Sequence, residues 1–412
     1  MLDSSSSERT PIILLDNLGY GLYKDSGQRP FLHADRYDVR LVTDLAKIAE
    51  ANGSELESVV GVTLSDEQSL QEAVEFQYRA GGRPAAGIVA ISESLLLPAA
   101  RLREEFALPG PTVADTLRFR DKIIMKERLS GNGIRVPEFA QFSVAAAHQL
   151  LRRHARLIVK PRLGAGSIGV SALCDYNDVV EFADANEGWL DEFEVEEFID
   201  GPLYHVDSVV ERGRVVAATA GQSVDSTTSF KDLRPYRDIG LGEGATLRSL
   251  LEFNQAVLAG FPDFTGVTHH EIFLSGGEPV FCEIAARAGG GGVVAGFRSR
   301  TDVDLHDVAL RALVTGRVPA SLRVAGHLTG YVLIYAGDGV LRKPFVPLAE
   351  PWVVEAKVNA QVGERLSRAG NWADWVAMVL VRGDTEEMVA ARLDEVVERM
   401  RPDLEPHRAV RC

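Results

Sequence analysis

VTHHEIFLSGGEPVFCEIAARAGGGG, residues 267–292, holds two short apolar runs around a glycine-rich turn. Val267–Phe273 and Val280–Arg287 read as strands joined by Ser275-Gly276-Gly277-Glu278-Pro279. Side chains alternate along a strand, so His269, Glu271 and Phe273 share one face of the first strand. Glu283, Ala285 and Arg287 share a face of the second. Proline cannot donate to a ladder, which favours a loop over 275–279 with Leu274 opposite Val280. In that register Glu271 faces Glu283. Two facing carboxylates repel, and a hard divalent cation such as Mg²⁺ removes the penalty. A one-residue slip would part the pair and leave two solvated surface glutamates.

Upstream, the strand Leu157–Val159 runs into Lys160-Pro161 and the loop Leu163-Gly164-Ala165-Gly166-Ser167-Ile168-Gly169. Backbone N–H groups in such a loop can cradle phosphate oxygens, and a lysine at its mouth adds a point charge. No Gly-Lys-Ser/Thr follows, so this is not a Walker A loop. A strand at Val170–Leu173, where a dinucleotide fold needs a helix, argues against that fold as well. The bland alternative is a flexible hairpin turn. Lys122 lies on a helix expected over Leu117–Leu129, stopped by Gly131 and Gly133; a helical lysine is usually solvated. Glu196-Glu197-Phe198-Ile199-Asp200-Gly201 ends a strand whose backbone could pair with an adenine edge; an edge strand leading to a turn is the alternative.

At the N-terminal side, PIILL (11–15), Tyr37–Val42, Val59–Thr63 and Gly87–Ile91 are strand candidates, with a helix at Ser69–Arg79 between them. This alternation suggests a parallel sheet with crossover helices. Strands are also expected in Phe193–Val224 around an Arg212-Gly213 turn, at Leu328–Tyr335 and at Trp352–Val358. Helices are expected at Thr246–Leu258, Leu305–Val314 and Thr385–Met400. The chain has 412 residues, enough for two to three packed units. Its 46% hydrophobic and 25% charged residues are those of a globular protein. No apolar run approaches a membrane span, and the N-terminus MLDSSSSERT lacks a secretory h-region, its serine run at 4–7 reading as a frayed end. Cys174, Cys282 and Cys412 are few and far apart, as expected of a reducing cytoplasm. A net charge of −15 opposes nonspecific binding of nucleic acid.

Taken in order, several segments resemble the ATP-grasp superfamily. They are RFRDKIIMKERL (118–129), GIRVPEF (133–139), LIVKPRLGAGSIGV (157–170), VEEFIDGPLYHVDSVV (195–210) and HHEIFLSGGEPVFCEIAARAGGGG (269–292). The match looks best in the branch of carboxylate–amine ligases that join amino acids in bacterial secondary metabolism. The resemblance implies a mixed α/β and α+β chain. It would comprise a pre-grasp parallel-sheet domain (8–115), a small lobe with the mobile phosphate loop (116–200), a large lobe with the metal site (201–324) and a C-terminal α+β extension (325–412).

The resemblance also implies roles. Lys122 and Lys160 would contact the phosphates of ATP, and Gly164, Gly166, Ser167 and Gly169 would form the mobile loop. Glu196, Glu197, Phe198 and Ile199 would form the adenine hinge, with His205 and Asp207 near the ribose. Glu271 and Glu283 would hold one or two Mg²⁺ ions, for which Mn²⁺ could substitute. Arg287 would contact the transferred phosphate or acyl-phosphate oxygen, and Gly289–Gly292 would face the carboxylate substrate. His269 is a candidate to take the amine proton, or a satisfied strand histidine. Many members carry Glu-Ile-Asn at the second metal strand, where this chain has Glu283-Ile284-Ala285; alanine cannot ligate. The expected reaction activates a carboxylate as an acyl phosphate, passes it to an amine and releases ADP and phosphate. The alternatives are carboxylation through carboxyphosphate and a regulatory protein that binds nucleotide without turnover. A homodimer is the expected assembly, with small-molecule substrates and no nucleic-acid or membrane partner.

Overall fold

The computed structural model describes residues 8–51, 55–346 and 348–405; the serine run at 4–7 and Cys412 lie outside them. The N-terminal unit is a four-stranded parallel sheet of β1 (Thr10–Asp16), β2 (Tyr37–Asp44), β3 (Leu56–Val62) and β4 (Gly87–Val89). Its order is β3-β2-β1-β4. Both faces of β1 are buried, which is why its sequence is continuously apolar. Helices α1 (Glu67–Arg79) and α2 (Leu96–Glu105) cover one face, packing Leu70, Val74 and Leu102 on Ile13, Leu15 and Val42.

Where a single helix over Leu117–Leu129 was expected, there are two. α3 (Val113–Leu117) ends early, and α4 (Lys122–Ser130) starts at Asp121. The Asp121 carboxylate accepts the N–H groups of Ile123 and Ile124, a strong N-cap that restarts the helix. Met125 and Leu129 of α4 pack with Val257, Phe281 and Ile284 of the large lobe. Lys122 and Lys126, one turn apart, reach Gly164 and Glu194 of the small lobe. The helix is therefore a wedge between the two lobes.

The small lobe is a four-stranded sheet in the order β5-β8-β6-β7: β5 (Phe139–Gln141), β6 (Leu157–Pro161), β7 (Ser171–Leu173) and β8 (Phe193–Glu197). Helices α5 (Val144–Leu151) and α6 (Tyr176–Ala185) back it. The large lobe begins with β9 (Leu203–Glu211), β10 (Arg214–Ser223), β11 (Tyr236–Gly240), α7 (Ala245–Ala259), β12 (Gly266–Ser275) and β13 (Glu278–Ala285). It continues through α8 (Val293–Thr301) and α9 (Leu305–Thr315) into β14 (Leu328–Ile334), β15 (Gly339–Leu341), β16 (Val353–Val358), β17 (Arg365–Leu366), β18 (Ala377–Gly383), α10 (Glu386–Arg399) and β19 (Leu404–Glu405).

β14, β18 and β16 complete one eight-stranded sheet, β13-β12-β9-β10-β11-β14-β18-β16, so the C-terminal region extends the large lobe. β18, absent from the expected strands, lies between β14 and β16 and is buried at Ala377–Val381. β15, β17 and β19 form a separate three-stranded sheet. No helix among the described residues is long and apolar enough to cross a membrane.

Candidate active site between the two lobes

β12 and β13 pair antiparallel with Glu271 directly opposite Glu283. The pair forms by a different route from the one expected. Ser275 pairs with Glu278 and Leu274 with Pro279, so the turn is only Gly276-Gly277. Both have positive φ, 60° and 91°, as a tight primed turn requires. Taken alone, that register would set Glu271 against Cys282. A β-bulge between Glu271 and Ile272 shifts the ladder by one residue and restores the glutamate pair. β13 is an edge strand, which is why Pro279 is tolerated in it. Ala285 lies across from His269, so no third oxygen reaches the pair from there.

Cationic groups converge on these carboxylates. Lys122 is buried; its ammonium lies 3.0 Å from Glu283 Oε2 and donates to Gly164 O at 2.7 Å. Burial would raise the Glu283 carboxyl, but Lys122 and Lys160 outweigh it and bring its pKa to about 2. Lys160 lies 2.6 Å from Glu196 Oε1 and 3.6 Å from Glu194 Oε1. Burial pulls the Lys160 ammonium down, but Glu196 and its other anionic neighbours hold its pKa well above the usual lysine value. Lys126 completes this cluster, 2.7 Å from both Glu194 oxygens and in contact with Glu196. Burial would also raise the Glu196 carboxyl, and Lys126 and Lys160 keep it low. Lys126 and Glu194 were not singled out from sequence; the one available signal was the spacing of Lys126 four residues after Lys122.

Residues 162–170 form the loop of the antiparallel β6–β7 hairpin, with Leu163 O and Gly164 O turned toward Arg120 and Lys122. Ser167 Oγ donates to Thr227 Oγ1 of the large lobe at 2.8 Å, so the loop touches both sides of the cleft. In the hinge segment the acidic side chains are engaged within the protein. The Glu196 side chain is held by the two lysines and the Glu197 carboxylate by Arg135. The N–H groups of Glu197 and Phe198 go to Glu138 O and Arg156 O. Any adenine contact in this segment thus falls to carbonyl groups and to Ile199.

Two histidines form a chain with buried carboxylates. His205 Nδ1 meets Asp207 Oδ2 at 2.6 Å, and Nε2 meets Asp238 Oδ2 at 2.9 Å. His269 Nδ1 meets Asp207 Oδ1 at 2.8 Å, and Nε2 lies 3.5 Å from Glu271 Oε1. Burial disfavours both imidazolium ions. Asp238 and Asp207 nonetheless hold His205 well above its ordinary pKa, and Asp207 and Glu271 raise His269 to about 9. Asp207 has both oxygens engaged by His205 and His269 and is buried. Both ring nitrogens of His269 face carboxylate oxygens, which favours its protonated form and ties the ring to Glu271. Gly221 makes this chain possible, because a Cβ there would sit 2.6 Å from His205 Nε2. The ligand atoms of His205, Asp207 and His269 lie within 4.8 Å of one another, but they bond to each other and to flanking carboxylates. The facing pair Glu271–Glu283 suits Mg²⁺ better, with hard oxygen donors and a cation shared with phosphates.

Arg287 lies two residues beyond the end of β13. Its Nε pairs with Glu93 Oε2 of the N-terminal unit, and Nη1 donates to Ala288 O at 2.7 Å. Gly290–Gly292 lie under Trp372 and Tyr331, which leave no room for side chains there. Arg120 pairs with Glu93 Oε1, and its Nε is buried without a partner. An orphaned guanidinium N–H beside a glycine loop and two lysines fits an anionic ligand such as a nucleotide phosphate.

The two-lobed cleft with this loop, these lysines and this carboxylate pair falls within residues 119–291, which match the family model described as an ATP-grasp domain. The chain is 25% identical over 298 residues to the L-arginine-specific L-amino acid ligase of Bacillus subtilis, covering 67% of this chain and 70% of that one. Its fold is similar to that of the L-amino acid ligase from Bacillus licheniformis, with a TM-score of 0.75 at 18% identity over 97% of this chain and all of that one. It is similar too to the biotin carboxylase domain of the Hydrogenobacter thermophilus 2-oxoglutarate carboxylase, with a TM-score of 0.72 at 15% identity, covering 96% of this chain and 91% of that one.

Proposed function

We propose that this chain is an ADP-forming carboxylate–amine ligase acting on amino acids. The observation that carries the reading is Lys122, which joins the glycine loop to the metal strand through Gly164 O and Glu283. That link brings the cationic and carboxylate groups together at the terminal phosphates of a nucleotide lying along the loop. Phosphoryl transfer needs positioning and charge neutralisation more than covalent help from the protein. Mg²⁺, held by Glu271 and Glu283, would supply part of that neutralisation.

Lys122, Lys160 and the loop N–H groups bind the phosphates. Arg287 orients the substrate carboxylate, whose oxygen attacks the γ-phosphorus; the bond to the β-phosphate oxygen breaks and ADP leaves. The amine then attacks the acyl carbon, and phosphate departs carrying the amine proton. The closed loop keeps water from the acyl phosphate. The similarity to an L-amino acid ligase supports amino acids as both substrates. The likeness to a carboxylase keeps bicarbonate as the second candidate for the activated carboxylate.

Hydroxylamine tests the reading. With ATP, Mg²⁺ and the right amino acid it should yield a hydroxamate, with ADP and phosphate as co-products. AMP and pyrophosphate as stoichiometric products would overturn the mechanism. ADP release that requires bicarbonate and no amino acid would favour carboxylation.

A further inference from the structure

The chain leaves β1 toward β2 on one side and returns to β4 on the other, so a crevice opens where β1 and β4 end. The two turns at that crevice are tied by Asn17 Nδ2 donating to Ser94 Oγ at 2.9 Å. Next to Ser94 in the chain is Glu93, whose side chain is 17% exposed. One oxygen meets Arg120 and the other meets Arg287. Arg120 Nη2 also donates to Leu163 O at 2.5 Å, at the stem of the glycine loop. Arg287 Nη1 also donates to Ala288 O, at the start of the 289–292 glycine run.

We infer that Glu93 is a positioning residue for phosphoryl transfer: it fixes Arg120 and Arg287 from two segments of the grasp in one arrangement. The inference rests on the ligase reading for what the arginines bind. Two guanidinium groups this near one another repel, and a carboxylate between them offsets the repulsion. Each arginine is then held by two acceptors, which fixes the plane of its fork. Arg120 Nε remains without a partner, and Arg287 Nη2 makes no hydrogen bond among the described residues. These are the donors left for the reacting anion. Burial would raise the Glu93 carboxyl, yet Arg287 and Arg120 keep it low, so the bridge stays ionised. The N-terminal unit thereby sets the geometry of the reaction.

The test uses the full chain and the variants Glu93→Gln and Glu93→Asp. Steady-state ADP release is measured with ATP, Mg²⁺ and the most active pair from a screen of L-amino acids. Misplacing the arginines should lower kcat by about 10²-fold in Glu93→Gln, with KM for ATP unchanged and Glu93→Asp recovering part of the loss. Hydrogen exchange over 162–169 should speed up in Glu93→Gln, because the Arg120–Leu163 link loosens. An unchanged kcat, or a loss that follows a collapse in thermal midpoint and is not rescued by aspartate, overturns the inference. Absence of amino-acid-dependent ADP release in the unsubstituted chain refutes the ligase reading alone. The exchange comparison then still decides the Glu93 link, since it needs no turnover.

Discussion

Replacing Lys126 with methionine removes one charge from a buried cluster whose four charges cancel. Lys126 and Glu194 are wholly buried, and Glu196 and Lys160 nearly so. The Lys126 ammonium contacts both oxygens of Glu194 and one of Glu196. Methionine keeps the length and packing of the side chain, so the change is chiefly electrostatic. Two carboxylates would then share Lys160 alone. Breaking a buried ion pair by removing one partner costs about 3–5 kcal/mol. If the grasp region unfolds as a unit, its thermal midpoint should fall by roughly 6–20 °C. Lys160 should also be drawn toward Glu194 and Glu196, away from the phosphates, so ATP affinity falls with stability. Calorimetry of the full chain with and without ATP reads both effects. The double variant Lys126→Met/Glu194→Gln should recover part of the loss, because the unpaired carboxylate is gone. A midpoint within about 2 °C of the unsubstituted protein would refute the reasoning, since it would mean that water already compensates the cluster.

Lys160→Ala should raise the Kd for ATP by about 10–100-fold, the worth of one charge-assisted hydrogen bond. Thermal stability should fall as well, because Glu196 loses one of its two lysines; unchanged ATP affinity by titration calorimetry would contradict the phosphate-cradle role. Glu283→Gln should abolish Mg²⁺-dependent ADP release while far-ultraviolet circular dichroism stays unchanged, and chelation of divalent cations should do the same to the unsubstituted chain. Near-normal turnover of Glu283→Gln would remove that residue from the metal site.

Local pattern alone made several things legible. The apolar run at 11–15 read as a buried strand, and strand candidates alternating with a helix pointed to the parallel sheet that β1–β4 form. The Arg212-Gly213 turn could be read from glycine's tolerance of positive φ, and both residues adopt it at 48° and 70°. The Glu271–Glu283 pair was legible through strand periodicity, but the sequence could not reveal that a two-residue turn and a bulge would trade one register for another. A bulge is chosen by packing against both neighbouring strands, and no single strand encodes it.

What the sequence by itself determined is the set of elements and the residues available for chemistry, because helix and strand periods, caps and turns depend on near neighbours. Only the tertiary structure decided which of those residues meet. Lys126 reads as an ordinary helical lysine until Glu194 and Glu196, 68 and 70 residues away, close over it. Nothing in the local sequence marks Glu93, which gains its place only because Arg120 and Arg287 meet it, the latter 194 residues on. His269 reads either as a base or as a satisfied strand histidine, and only the fold brings Asp207 and Glu271 to its two nitrogens. A buried charge takes its state from the sum of nearby fields, which act through space and not along the chain.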